Sequence, residues 1–359
     1  MARRPEPRLE KVRSFVYSGL PSRVVFGAGA AARLGEEVER LGAKRPLLLS
    51  TPGRAGMVAT LARSVRIAGV FDQVVMHTPL EAANQARKLA TELDADCCIA
   101  IGGGSTIGFG KAIALTSGLP VLAVPTTYSG SEMTTIWGIS EKQAKRTGRD
   151  PKVLPRTVIY DPELTRDLPP HVSAASGMNA IAHCVEALYA HDGNPIVSLM
   201  AEEGIRALSK ALPVIVREPK NLEARSEALY GAWLAGATIS TTSVALHHKL
   251  CHVLGGLGLP HAETHSIVLP HAVRYNYDAA REAMARVERA LGSAPAPGAI
   301  YDLLVTLSLQ TRLSEIGLAE ADLERAARTA AEAPYPNPRK VEYAPVLALL
   351  RNAYGGSRP

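Results

Sequence analysis

The sequence predicts an α/β amino-terminal domain built on a doubly wound parallel sheet, followed by an all-α carboxyl-terminal domain. Three observations predict it. Strand-like and helix-like segments alternate from Arg23 to Tyr160. The strand-like segments are near-continuous apolar runs, the pattern of strands covered on both faces. Beyond Asp161-Pro162 and Leu168-Pro169-Pro170, only helical periodicity is left. A chain of 359 residues, 47% hydrophobic, is long enough to bury two cores.

The elements follow in order. Arg23 to Phe26 reads as a strand and Ala30 to Leu41 as a helix. Pro46 to Ser50 is a strand, Gly56 to Ile67 a helix, Phe71 to Met76 a strand and Ala82 to Leu93 a helix. Cys97 to Ile101 is a continuous apolar strand, Ser105 to Thr116 a helix and Leu119 to Val124 the next strand. Thr157 to Tyr160 is one last strand-like run. Helical periodicity then covers Ala174 to Ala190, Ile196 to Val216, Leu222 to Ile239, Ser243 to Gly255 and Glu282 to Leu291, with further helices to the end. Pro334-Tyr335-Pro336-Asn337-Pro338 is a loop. Residues 1–14 read as a disordered basic tail, and the two domains span 15–168 and 169–359.

Composition excludes several classes. The net charge is +6, the basic residues are scattered, and only four Phe and two Trp are present, which argues against nucleic acid. A mild positive field suits a small anion. No apolar run reaches the roughly 18 to 20 residues of a membrane helix, and the start lacks the apolar stretch of a secretory signal. Cys97, Cys98, Cys184 and Cys251 do not form a disulfide framework, so a reducing cytoplasm is expected.

Gly102-Gly103-Gly104-Ser105-Thr106 lies between a buried strand and a helix. Glycines let backbone N–H groups converge on an anion, the helix start adds partial positive charge, and Ser105 is placed to cap the helix. A second loop, Pro125-Thr126-Thr127-Tyr128-Ser129-Gly130-Ser131-Glu132, follows the next strand. Both leave the carboxyl ends of strands, where open parallel sheets bind ligands. The expected dinucleotide contacts are Gly102, Gly103, Gly104, Ser105, Thr126, Thr127, Ser129, Ser131 and Thr51, making 15–168 a Rossmann-like dinucleotide-binding domain. Phe26-Gly27-Ala28-Gly29-Ala30 is expected to line the same pocket. The strand ending at Ser50 runs into Thr51-Pro52-Gly53-Arg54, with no acidic residue to reject a 2′-phosphate. Both NADH and NADPH are therefore expected to serve.

Seven of the ten histidines fall at His183, His247, His248, His252, His261, His265 and His271. His248 and His252 are four apart and share a helix face, as do Asn179 and His183. His261, after Pro260, comes from the loop beyond. These groups together make a nitrogen-rich pocket that resembles a metal site, except that the carboxylate such a site wants is missing: Asn179 offers an amide. His247 is expected to point elsewhere, and His265 to lie either in the pocket or at the surface. Lys249 is about 100° around the helix from His248.

These loops, the Asn179/His183 pair and the run His248-x-x-x-His252…Pro260-His261 resemble the iron-containing alcohol dehydrogenase superfamily, which also holds glycerol dehydrogenase and dehydroquinate synthase. The resemblance runs from about Phe15 to the end. It implies a dehydroquinate synthase-like helical catalytic domain over 169–359 and a homodimer. Within that superfamily, Pro125 to Thr134, His247-His248-Lys249-Leu250-Cys251-His252 and His261-Ala262-Glu263-Thr264-His265 are similar to the maleylacetate reductases. In metal-dependent relatives the positions of Asn179, His183, His248 and His261 hold iron or zinc as an aspartate and three histidines, and His252 stands beside the nicotinamide. Here the aspartate is Asn179, the glycine usual after His261 is Ala262, and Lys249 adjoins His248. An amide oxygen brings no charge to a dication, so no metal is expected.

The resemblance implies hydride addition to the alkene of maleylacetate, giving 3-oxoadipate. His248, His183 and His261 are then expected to hold the ketone oxygen, His252 or His248 to supply the proton, and Lys249 and Asn179 to meet carboxylates. The rivals are a metal-dependent alcohol dehydrogenase and a lyase similar to dehydroquinate synthase.

Overall fold

The computed structural model describes residues 15–20, 22–76, 78–141, 144–332 and 335–359. The tail expected over 1–14, and Pro334 of the expected loop, lie outside them. Strands β1 (Arg23–Phe26), β2 (Pro46–Leu49), β3 (Gly69–Phe71), β4 (Cys97–Gly102) and β5 (Val121–Pro125) alternate with helices α1 (Leu34–Arg40), α2 (Ala55–Ala62), α3 (Leu80–Glu92) and α4 (Gly104–Ser117). A hairpin, β6 (Ile136–Glu141) and β7 (Ala144–Arg149), follows, and β8 (Thr157–Tyr160) completes the sheet. The main sheet has six strands in the order β1-β8-β5-β4-β2-β3, all paired in parallel.

Residues in strands alternate between faces, and both faces are covered. Leu48, Ile99, Ile101, Leu122, Val124 and Ile159 pack with Leu34 and Val38 of α1 and Val58 of α2. Leu47, Leu49, Cys98, Ala100, Ala123 and Val158 face the other way. They pack with Ala86 of α3 and Ile113 of α4, in an apolar cluster that continues into the helices beyond. From β2 the chain moves outward to β3, whereas β4, β5 and β8 run to the opposite side. The order reverses between β2 and β4, so a crevice opens at their carboxyl ends.

From Pro170 onward every labelled element is helical: α5 (Pro170–Tyr189), α6 (Pro195–Arg217), α7 (Leu222–Thr241), α8 (Leu246–Gly256), α9 (His261–Asn276), α10 (Arg281–Leu291), α11 (Ala296–Thr306), α12 (Leu323–Glu332) and α13 (Tyr343–Gly355). Asn194 and Asn221 cap α6 and α7 by accepting backbone N–H groups. Helices α5 to α7 share the apolar cluster with the sheet, while α8 and α9 pack with α12 and α13 around Leu246, Leu250, Val268 and Leu350. Among the described residues no helix is long and apolar enough to cross a membrane. All four cysteines are buried free thiols.

Several expectations need correction. The strand placed at Phe71 to Met76 is Gly69–Phe71, and Val75 and Met76 are exposed. The helix drawn to Ile67 stops at Ala62. The helix drawn from Ser243 starts at Leu246, because Asp192 holds the Ser243 backbone N–H and hydroxyl before it. The hairpin was not foreseen, since Ala144-Lys145-Arg146-Thr147-Gly148-Arg149 has no large apolar residue. Its Gly148 is needed because a Cβ there would lie 2.8 Å from the Trp137 ring. The hairpin has a tertiary role: Arg149 donates to the carbonyls of Ile239, Ser240 and Thr242, a cation at the negative end of α7.

Candidate active site

The two glycine- and hydroxyl-rich loops meet face to face beside the crevice. Gly103 precedes α4, and no side chain caps that helix, so Ser105 is its second residue and not its cap. A Cβ on Gly103 would lie 3.0 Å from Thr127, and one on Gly104 would lie 3.3 Å from the Ser129 hydroxyl. The Thr126 N–H donates to the Gly102 carbonyl at 3.0 Å. Gly102, Gly103, Gly104, Ser105, Thr126, Thr127, Ser129 and Ser131 are thus brought together, and Thr51 follows β2 on the other side of the crevice. The Thr106 and Thr126 hydroxyls are buried without a protein partner. Hydroxyls and backbone at a helix start, without side chains in the way, fit a dinucleotide phosphate.

Two buried charges, unseen in the sequence, shape the second loop. The Lys111 ammonium donates to the carbonyls of Ser131, Thr134 and Ile136 and to the Thr134 hydroxyl at 2.7–2.8 Å. Burial pushes Lys111 down to about 7, against the pull of Glu132. Glu132 accepts from the Tyr160 hydroxyl at 2.8 Å, and burial raises its own pKa. In the turn from Gly27 to Ala31 the Gly29 and Ala31 N–H groups donate to the Asp161 carboxylate at 3.1 and 3.0 Å, so these two donors are taken up within the protein.

The second loop abuts the helical half at Gly130 and Gly236, whose backbones touch; a Cβ on Gly236 would lie 2.4 Å from the Gly130 carbonyl oxygen. A Cβ on Gly130 would lie 3.5 Å from His183 Nδ1. Here the histidines gather. Asn179 and His183 come from one stripe of α5, His247, His248 and His252 from α8, and His261 and His265 from α9. The His183 and His248 rings stack at 5.2 Å, His248 and His265 are 4.9 Å apart, and His261 and His265 are 4.2 Å apart. His252, 6.4 Å from His248, and His261 are exposed.

His183, His247, His248 and His265 are buried. Burial and neighbouring imidazoles hold His183 and His265 well below the ordinary histidine range. The same causes bring His247 to about 4 and His248 to about 3. The buried rings are therefore neutral at pH 7. Asn179 Oδ1, His183 Nδ1, His248 Nε2 and both nitrogens of His265 have no protein partner.

Four placements differ from the sequence reading. His261 is the first residue of α9 and not part of a loop. His247 points into the cluster, its Nε2 2.9 Å from the His265 carbonyl, and His265 is buried there too. Lys249 is not brought in; its ammonium lies 5.9 Å over the Tyr335 ring. A carboxylate is present after all, one layer out: Glu186 lies 2.7 Å from His248 Nδ1. It stands seven residues after Asn179 and three after His183, so the same helical spacing that exposed that pair could have found it.

The family's metal position fits this chain poorly. The ligand that would carry negative charge is the neutral Asn179. Among the described residues, the histidine nitrogens that converge within 4.8 Å belong to His247, His248 and His265, not to His183, His248 and His261. One of those three, His247, already holds a backbone carbonyl.

The sequence matches the family described as "Iron-containing alcohol dehydrogenase" over residues 21–162 and that described as "Fe-containing alcohol dehydrogenase family, C-terminal" over residues 173–354. It is 52% identical to a maleylacetate reductase of Burkholderia cepacia over 96% of this chain and 99% of the relative. The identity to the maleylacetate reductase of Sphingobium indicum is 51%, with the same coverage. The crystal structure of maleylacetate reductase from Agrobacterium tumefaciens superposes with a TM-score of 0.94 at 45% identity, covering 97% of this chain and 100% of that one. Matched across both halves and half identical to relatives over nearly its whole length, the chain belongs to the iron-containing alcohol dehydrogenase family, on the branch of the maleylacetate reductases.

Proposed function

We propose that the chain is an NAD(P)H-dependent oxidoreductase that reduces the carbon–carbon double bond of maleylacetate to 3-oxoadipate in the degradation of aromatic compounds, without a metal ion. The observation that carries the substrate is the identity of about half to curated maleylacetate reductases over 96% of the chain. The neutral Asn179 supports the absence of metal. No acidic residue follows β2 in Thr51-Pro52-Gly53-Arg54, which supports use of both NADH and NADPH. A homodimer in the cytoplasm is the expected assembly and location.

The loops around Gly102–Ser105 and Thr126–Ser131 would hold the reduced nicotinamide, which would supply the hydride. Hydride goes to the alkene carbon furthest from the ketone, charge moves to the ketone oxygen, and a proton reaches the carbon between them. Asn179 offers an N–H₂ group, and His183 and His261 offer ring N–H groups, toward that oxygen. The proton donor is His252: its ring is exposed to solvent, whereas His248, held at about 3, is a neutral imidazole at pH 7 and a poor acid. The buried rings exclude water from the enolate.

The test is oxidation of NADH by the chelator-treated enzyme with maleylacetate, with and without ferrous or zinc ion. Full turnover without metal is the expected result. Turnover only with metal makes the protein a metal-dependent alcohol dehydrogenase type, and none in either condition refutes the substrate. Near-normal turnover in both His248→Ala and His252→Ala refutes the residue roles.

A further inference from the structure

We infer that Glu186 is a positioning residue for the histidine site, fixing His248 with its hydrogen on Nδ1 and a bare lone pair on Nε2 facing the pocket. The inference rests on the proposed reduction only for its turnover readout.

Glu186 is 1% exposed and has four polar partners, three of them fixed donors. Oε2 takes His248 Nδ1 at 2.7 Å and the Ala245 N–H at 2.9 Å. Oε1 takes the His247 N–H at 2.9 Å and the Tyr189 hydroxyl at 3.3 Å. Burial raises the Glu186 pKa, and the two backbone N–H groups and the Tyr189 hydroxyl oppose it by hydrogen-bonding the charged form. With a hydrogen on His248 Nδ1 as well, about four lone-pair positions are filled and the group is a carboxylate. Two of the donors are backbone amides at the start of α8, a helix whose N-cap residue, Ala245, has no side-chain cap of its own. Glu186 fills that place from α5, and its charge meets the positive end of the helix. One carboxylate thus anchors the helix and the ring it carries.

An anionic acceptor on Nδ1 keeps the hydrogen there. The neighbouring ring agrees independently. His247 Nε2 faces the His265 carbonyl, which only accepts, so His247 carries its hydrogen on Nε2 and a lone pair on Nδ1. That lone pair is 3.3 Å from His248 Nδ1, which again wants the hydrogen on His248 Nδ1. Two acceptor-only groups at opposite ends of the pair therefore set both tautomers. His248 Nε2, buried without a partner, is left to accept a hydrogen bond from an O–H or N–H of the bound ligand or from an ordered water. It orients the ligand and does not protonate it.

Histidine side-chain ¹⁵N spectra of the full-length enzyme, with His248 assigned by its loss in His248→Gln, test this directly. The expected spectrum shows His248 protonated on Nδ1. In Glu186→Gln an N–H₂ group must face at least one N–H donor. Its kcat is expected to fall by about 100-fold, with the NADH dissociation constant and the KM for maleylacetate within about threefold. Glu186→Asp, which keeps the charge, should recover part of the loss. A wild-type His248 hydrogen on Nε2 overturns the inference whether or not the variants fold. A folded Glu186→Gln with kcat within about threefold of wild type does the same. Absence of maleylacetate turnover by the wild type refutes the proposed function and leaves the spectrum to decide this one.

Discussion

Replacing Gly236 with alanine adds one methyl group where the nucleotide half and the helical half touch. The new Cβ would lie 2.4 Å from the Gly130 carbonyl oxygen and 2.9 Å from its Cα, whereas ordinary contact begins at 3.4 Å. Loop and helix must separate by about 1 Å at this point. Neither partner gives way freely. Gly130 sits at φ +73, and the loop after it is tied down by Lys111 through Ser131 and Thr134. Helix α7 is held at its end by Arg149. Overpacking of this kind costs about 1–3 kcal/mol, against a gain of at most about 1 kcal/mol from alanine in a helix. With the full gain subtracted, the expected net is about 0–2 kcal/mol less stable in urea denaturation. Because the loop carries Thr127, Ser129 and the backbone beside His183, a shift of this size should also lower kcat/KM by about 100-fold. Gly255→Ala is the control. It is the same chemical change inside α8, at a position with no atom within 4 Å of the new Cβ, and should be neutral or stabilising by up to about 1 kcal/mol. If the two variants change stability with the same sign and size, and Gly236→Ala keeps its kcat/KM, the close-approach argument is refuted.

Three further outcomes are expected. His271 is buried and held at about 4 by desolvation. The unfolded chain therefore binds a proton that the folded one refuses between about pH 6.5 and 4, and stability falls as pH drops through that window. His271→Leu should lose roughly 2 kcal/mol less than wild type between pH 7 and pH 5, read from urea midpoints at each pH; parallel curves would refute it. Arg225 is fully buried and donates to four neutral groups, the Tyr128 and Ser173 hydroxyls and the Leu168 and Pro219 carbonyls. Arg225→Met should cost about 3–5 kcal/mol in urea denaturation, and a loss under about 1 kcal/mol would contradict the network. Asn179→Asp restores the charge a dication lacks in this pocket. Calorimetric titration with zinc should show binding at least about tenfold tighter than to wild type, and equal affinities would mean that residue 179 does not face the metal position.

The alternation of apolar strands and helices made the parallel sheet legible, and the two loops at its carboxyl edge with it. Runs such as Cys97 to Ile101 are buried on both faces and advertise it. The edge strand β3 misled because Val74, Val75 and Met76, beyond Asp72 and Gln73, are apolar yet form irregular chain. The hairpin escaped because its polar strand is held by a tertiary cation and carbonyls, which no local pattern records. At the site, histidine spacing pointed to rings that the fold does bring together. It could not reveal which rings face in: His247 and His248 are adjacent, and both do. Glu186 shares the helical spacing of Asn179 and His183, but a lone glutamate on a helix is usually solvated, so spacing alone did not single it out. Its burial comes from α8 arriving across it, a contact 59 to 62 residues away.

The apolar cluster that runs unbroken from Val158 and Tyr160 of β8 through Met178, Ile181 and Val185 of α5 has a bearing on how such a chain can be inherited. Two halves with separate cores can be exchanged between genes, each keeping its own fold. Here a cut after the sheet would strip one layer from both fragments and leave each with a wide oily face. Cofactor half and histidine half must then unfold together, and change in evolution together, as one cooperative body.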